Sequence, residues 1–81
     1  MKKIIIDIRE PYEYRISHID NAINISYDLL NLVPEKYITK DNYYVLYCDK
    51  GILSLKLSNT LNSKGYKTIS LYGGYDEYKK K

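Results

Sequence analysis

The sequence predicts an α/β domain, a short parallel sheet flanked by helices, and two observations carry that prediction. Short β-branched or aromatic runs alternate along the chain with segments of helical pattern, the order that builds a parallel sheet covered on its faces. The runs end in charge, cysteine or glycine, the punctuation expected where buried parallel strands stop. Length sets the bound: 81 residues predict a single domain spanning 1–81. Such a chain buries only about three-fifths of its unfolded surface, so its stability margin is thin.

Ile4 to Ile8 is the first strand, a β-branched run that ends in charge. Pro11 suits the first turn of a helix, where its missing N–H has no partner to lose, and Tyr12 to Ser17 continue that helix. His18 to Asn21 forms a loop in which Asn21 tolerates a positive φ, and Ala22 to Ile25 a short strand. Leu29 to Ile38 carries apolar side chains at helical spacing around Pro34. Asp41-Asn42 turns the chain into Tyr43 to Tyr47, the strongest strand, rich in aromatic and β-branched residues. That strand runs directly into Cys48. Ser54 to Lys64 is the best amphipathic helix, with Leu53, Leu57 and Leu61 in line at four-residue steps, Leu55 flanking them and Gly65 closing the end. Lys67 to Leu71 alternates as a strand, Gly73-Gly74 breaks it, and Tyr75 to Lys81 predicts a final helix. Parallel sheets bind ligands outside the carboxyl ends of their strands, which is where Asp7 to Arg9, Cys48 and Gly73-Gly74 fall.

Apolar residues are 44% of the chain and charged residues 28%, the balance of a globular protein and not of a disordered one. Eleven tyrosines with no Phe or Trp mean that all aromatic bulk carries a hydroxyl in need of water or a backbone partner. The formal charge of +3 is mild, and part of it lies in the Lys79–Lys81 tail. A nucleic-acid partner would need a basic patch or stripe, so none is expected. The apolar run after Lys2-Lys3 is too short for a signal peptide, and no stretch reaches membrane-spanning length. The expected setting is the cytoplasm, away from any membrane, and the expected state a monomer. The surplus of Lys, Ile, Asn and Tyr points to A/T-rich codons and a bacterial source. One cysteine cannot close an internal disulfide, and one Cys with one His is too few for a protein-only zinc site. No metal or cofactor is expected.

The segment Cys48-Asp49-Lys50-Gly51-Ile52-Leu53-Ser54 joins the best strand to the best helix. A thiol there faces the unpaired backbone N–H groups of a helix start, which favour the thiolate over the thiol. Gly51 lets the loop curl until successive N–H groups converge on one point. A persulfide anion would be held by the same donors, and Lys50 adds a positive charge that draws in an anionic sulfur donor. A free cysteine at a strand end is equally compatible with plain core filling, and Cys-x-x-Gly spacing alone does not separate the two.

The order of motifs along the chain separates them. Ile5-Ile6-Asp7-Ile8-Arg9-Glu10-Pro11-Tyr12-Glu13-Tyr14 resembles the first signature of rhodanese-like domains, an apolar strand, Asp-x-Arg-x and a short helix ending in Tyr or Phe. His18-Ile19 followed by Asn21-Ala22-Ile23-Asn24-Ile25 is similar to the family's His-Ile … Ala-x-Asn-Ile stretch. Cys48-Asp49-Lys50-Gly51 resembles its Cys-x-x-Gly active-site loop, and Gly65-Tyr66 with Leu71 to Tyr75 its closing helix end, strand and Gly-Gly turn. The resemblance covers nearly the whole chain. It implies a rhodanese-like fold and a sulfurtransferase of the thiosulfate sulfurtransferase type. In that scheme Cys48 attacks the outer sulfur of thiosulfate or a persulfide donor, the remnant leaves, and a thiol or cyanide acceptor, or an acceptor protein, takes sulfur from the Cys48 persulfide. The resemblance also implies that Asp49, Lys50, Gly51, Ile52 and Leu53 form the substrate-binding loop, with Asp7, Arg9 and Ser54 supporting it. Asp7 and Arg9 are expected as a buried or half-buried ion pair, and His18 as a structural residue bonding backbone near the first helix.

The chain departs from the family pattern at named positions. Leu53 stands where many members carry Arg and offers an oxyanion only its backbone N–H. Asp49 sets a negative charge beside the thiol. Both work against thiosulfate as the donor. Phosphatases and arsenate reductases of related fold use Cys-x5-Arg; here Ser54 takes the place of that Arg, which removes the clamp on a transferring phosphoryl or arsenate group. The chain begins at the first signature, where larger members carry a preceding strand and helix, and an exposed sheet edge is expected. The alternative function is a non-catalytic rhodanese-like binding or regulatory module. Inactive modules commonly lose the Cys, whereas Cys48 and Gly51 are both kept here.

Overall fold

The Ile-rich run near the N-terminus forms β1 (Lys3–Asp7), which pairs in parallel with β2 (Ile23–Asn24) on one side and β3 (Tyr43–Tyr47) on the other. β4 (Lys67–Ser70) pairs with β3 and completes a sheet of order β2-β1-β3-β4. The computed structural model describes residues 1–80. Four helices cover the sheet: α1 (Pro11–Ile16), α2 (Tyr27–Leu32), α3 (Ile52–Ser63) and α4 (Gly74–Tyr78), with a 3-10 turn at Pro34–Lys36. No described helix is long and apolar enough to cross a membrane.

Alternate side chains of a strand face opposite ways, and that periodicity divides the core in two. Ile6, Ile8, Tyr44, Leu46 and Cys48 share one buried cluster with Leu30 of α2 and with Leu57 and Leu61 of α3. Tyr47 turns to the other face and joins Ile19, Ala22 and Tyr75, with Ile5 and Tyr14 packed against them. Each aliphatic side chain fully buried in this way contributes about 1.5–3 kcal/mol. The chain leaves β1 toward β2 on one side and comes back to β3 on the other. The carboxyl ends of β1 and β3 therefore flank the topological switch point, the place where parallel sheets bind ligands. Register pairs Asp7 with Tyr47, so the residues that follow each, Ile8-Arg9 and Cys48, leave the sheet side by side.

The predicted elements are present, with shifted ends and one corrected face. Only Ile23 and Asn24 of the second strand pair as strand, although Ile25 N–H still reaches the Asp7 carbonyl at 3.1 Å. Asn21 takes the positive φ, 71°, that its loop demands. The final helix is Gly74–Tyr78, and Lys81, which the sequence adds to it, lies outside the described residues. On α3 the buried residues are Ser54, Leu57, Ser58 and Leu61, whereas Leu53 and Leu55 are exposed. A four-residue step overshoots the 3.6-residue turn, so Leu53 drifts off the stripe that Leu57 and Leu61 share. Two serines take the vacated places because β4 offers them partners: Ser58 Oγ lies 2.6 Å from Thr68 Oγ1, and Ser54 Oγ 2.6 Å from Ser70 Oγ.

Candidate active site

The strand carrying Tyr44 and Leu46 toward α3 sends Cys48 to that same face, where the chain bends into the start of α3. Cys48 is free and only 7% exposed. Its Sγ accepts backbone N–H groups from Gly51 and Ser54, each at 3.3 Å, and lies 3.4 Å from Ser54 Oγ. The donors converge because Gly51 adopts φ 88°, a left-handed conformation that opens to glycine without strain. Two backbone N–H groups thus converge on one sulfur, with the Ser54 hydroxyl that accepts the thiol hydrogen in reach, an arrangement suited to an anionic thiolate or persulfide.

The loop carbonyls must face away for its N–H groups to face the sulfur, and α4 accomplishes this. Tyr75 N–H donates to the Cys48 carbonyl at 2.8 Å and Asp76 N–H to the Asp49 carbonyl at 2.9 Å. Gly74 makes that approach possible, since a Cβ there would sit 2.5 Å from both carbonyl oxygens. Sequence reading places Gly73-Gly74 at the ligand-binding edge of the sheet; its role beneath the loop depends on how β4 brings it alongside Cys48.

Arg9 braces the other side. Its Nε and Nη2 donate to the Asp7 carboxylate at 2.8–3.1 Å, and Nη2 also donates to the Ser17 carbonyl at 2.7 Å. The guanidinium lies over the Tyr75 ring, 4.5 Å from its centroid. Burial works against its charge, but the hydrogen bonds and Coulomb attraction of Asp7 outweigh that and hold its pKa above the ordinary arginine value. Asp7, fully buried, also accepts the Arg9 N–H at 2.9 Å and the Tyr47 hydroxyl at 2.8 Å. The expected Asp7–Arg9 pair is therefore present and buried. Tyr47 and Tyr75, which complete it, carry no sequence signal beyond being aromatic.

The remaining predicted residues divide into those that reach the sulfur and those that do not. Gly51 and Ser54 touch it. Leu53 lines the hollow in front of Cys48, half exposed, but the N–H groups on the sulfur belong to its neighbours. Asp49 Oδ1 lies 3.6 Å from Arg9 Nη1, and Lys50 Nζ lies 3.7 Å from Asp76, so these two opposed charges turn to separate partners. Ile52 stands 75% exposed at the lip of the loop. His18 Nδ1 pairs with the Tyr14 carbonyl at 2.8 Å and its ring stacks on Tyr14 at 3.7 Å, the structural place expected of it. Ser70, 2.6 Å behind Ser54, is a further site residue that sequence reading missed.

The rhodanese-like domain model matches residues 1–81. The tRNA sulfurtransferase of Desulfurococcus amylolyticus is 40% identical over 76 residues, which is 94% of this chain and 15% of that protein. The tRNA uridine(34) hydroxylase of Cronobacter sakazakii is 32% identical over 84 residues, covering 96% of this chain and 24% of that protein. This chain thus spans a quarter or less of these curated relatives. Among solved structures, a rhodanese-related protein from Thermoplasma volcanium superposes with TM-score 0.87 at 27% identity, over 96% of this chain and 77% of that one. Bacillus anthracis CoADR-RHD gives 0.85 at 30% identity, over 94% of this chain and 14% of that one. The sheet order, the loop after β3 and the matched sequence together place this chain in the rhodanese-like domain family.

Proposed function

We propose that this domain is a sulfurtransferase in which Cys48 carries sulfane sulfur as a persulfide. The observation that carries the reading is the cradle itself: the Gly51 and Ser54 N–H groups donate to one free sulfur, and the Ser54 hydroxyl lies 3.4 Å from it. The thiolate attacks the outer sulfur of a donor, the donor's S–S bond breaks with the electron pair leaving on the remnant, and the same donors hold the resulting Cys48–S–S⁻. A thiol or cyanide acceptor, or the cysteine of an acceptor protein, then takes the terminal sulfur. The name of the tRNA sulfurtransferase relative supports sulfur-transfer chemistry, and the buried, hydrogen-bonded Ser54 at the position of a phosphatase arginine gives phosphoryl transfer no support. A nucleophilic thiol of this kind persists in a reducing compartment, which favours the cytoplasm. Incubation with thiosulfate or a small persulfide, followed by intact-mass measurement, tests the reading. Gain of one sulfur atom by the wild type and none by Cys48→Ser is expected; no adduct with any donor on a reduced, folded protein overturns it.

A further inference from the structure

Cys48 opens on a hollow of about 240 Å3 between its own loop and the ends of β1, α1 and α2. Glu10, Glu13, Asp28 and Asp49 line it, and Arg9 is the one cation among its described lining residues. Arg9 brings no free charge, because buried Asp7 already takes its Nε and Nη2 and Asp49 lies 3.6 Å from its Nη1, which leaves Glu10, Glu13 and Asp28 without an ion-pair partner among the described residues. Cys48 also borders a shallower shelf on the outer side of the loop, where Lys50 and Lys56 stand, and Lys50 leans toward Asp76 at 3.7 Å. Over both openings four carboxylates face two lysines. Charges gathered around one such hollow lie within about a Debye length, ~8 Å, of an entering ligand, so they act on it before it meets the sulfur.

From this we infer that Cys48 exchanges sulfur with neutral or cationic persulfides and thiols and turns away dianionic donors such as thiosulfate, with Glu10, Glu13 and Asp28 setting the choice. The inference rests on the sulfur-transfer reading above and names the substrate class for it. In the loading step the Cys48 thiolate attacks the outer sulfur of R–S–SH, forming one S–S bond as the donor's breaks. R–S⁻ leaves with the electron pair, and Cys48–S–SH keeps the transferred sulfur and its proton. No oxidant or reductant is consumed. Thiosulfate, in the same step, must bring two negative charges to an anionic sulfur past the carboxylates and release sulfite by the same route.

The test compares each reagent with itself across variants, so differences in intrinsic reactivity cancel. The variant is Glu10→Gln, Glu13→Gln, Asp28→Asn. It removes three charges and keeps the shapes, and Gln at 13 retains an acceptor for the Glu10 N–H, 3.3 Å away in the native chain. Sulfur loading from cysteamine persulfide and from thiosulfate is followed by intact mass. Cys48 modification is followed in parallel with the cationic trimethylammonium-ethyl and the anionic sulfonatoethyl methanethiosulfonates, each of which forms a mixed disulfide and expels methanesulfinate. The cation-over-anion rate ratio is expected to fall on the order of tenfold in the variant for both reagent pairs. In the wild type, which needs no substitution, added salt is expected to lower the same ratio. Loading that proceeds with ratios unmoved by substitution or salt, in protein of native circular dichroism, overturns this inference and leaves sulfur transfer standing. Absence of loading from every donor overturns both.

Discussion

The sulfur of Cys48 depends on its neighbours more than on its own position, and Ser54 is the neighbour that touches it twice. The backbone N–H holds Sγ at 3.3 Å, and the hydroxyl lies 3.4 Å from Sγ and 2.6 Å from Ser70 Oγ. Once the sulfur is anionic it can no longer donate, so the Ser54 hydroxyl turns to it as donor while Ser70 supports the oxygen from behind. A hydrogen bond to a charged group contributes about 1.5–3 kcal/mol. Ser54→Ala should therefore slow Cys48 alkylation and sulfur loading by about ten- to a hundredfold, and Ser70→Ala by less, with thermal midpoints close to the wild type. Equal rates in all three proteins, measured across pH, would remove the hydroxyl from the mechanism. Cys48 and Gly51 were legible in the sequence because a strand, a cysteine and a glycine follow one another within the loop. Ser70 was not. It lies 16 residues from Ser54, and only the pairing of β4 with β3 brings the two hydroxyls together.

At the scale of elements, the short helix α4 acts as a backing plate for the active-site loop. Its first N–H groups engage the Cys48 and Asp49 carbonyls, and the contact is so close that Gly74 has no room for a side chain. The obstacle is rigid backbone, and Gly74 has φ 65° besides, so Ala must displace the loop, the helix or both. Gly74→Ala is expected to cost about 1–3 kcal/mol of stability. It should also slow Cys48 alkylation beyond what Ser70→Ala does, since moving the carbonyls swings the N–H groups off the sulfur. A chemical-denaturation midpoint and an alkylation rate matching wild type would show that α4 does not shape the loop. The strands and the α3–β4 pair were readable from alternation and composition. The buried face of α3 was misread at Leu53 because hydrophobicity alone ranks Leu above Ser, while the face was decided by hydroxyl partners on β4: Ser54 with Ser70 and Ser58 with Thr68.

The whole molecule is joined across its sheet by the Asp7–Arg9–Tyr47 cluster, and that cluster makes stability depend on pH in a definite direction. Tyr47 is fully buried in the strand that leads to Cys48; its hydroxyl donates to Asp7 and accepts the Ile19 N–H at 3.1 Å, tying β3 to β1 and to the loop after α1. Burial, with the hydrogen bond to Asp7 and the negative charge there, pushes its pKa well above the ordinary tyrosine value, more than the Ile19 N–H and the Arg9 charge pull it down. The native state then keeps a proton that the unfolded chain gives up near pH 10. A pKa raised on folding gives a contribution that is complete below the unfolded value and fades as pH climbs from about 10 toward the folded one. Tyr44 works the other way. Burial alone would raise its pKa, but the Thr39 N–H at 2.8 Å and neighbouring donors outweigh this and lower it, so its contribution grows as pH rises toward 10. Tyr47→Phe removes the larger effect while keeping the ring. It should lose about 1–3 kcal/mol at neutral pH, because Asp7 and the Ile19 N–H each lose a partner, and it should lose less further stability than wild type between about pH 10 and 12. Denaturant unfolding of both proteins from neutral to alkaline pH measures the two slopes, and parallel curves would mean that the proton on Tyr47 is not what ties β3 to β1 and the loop after α1 at high pH.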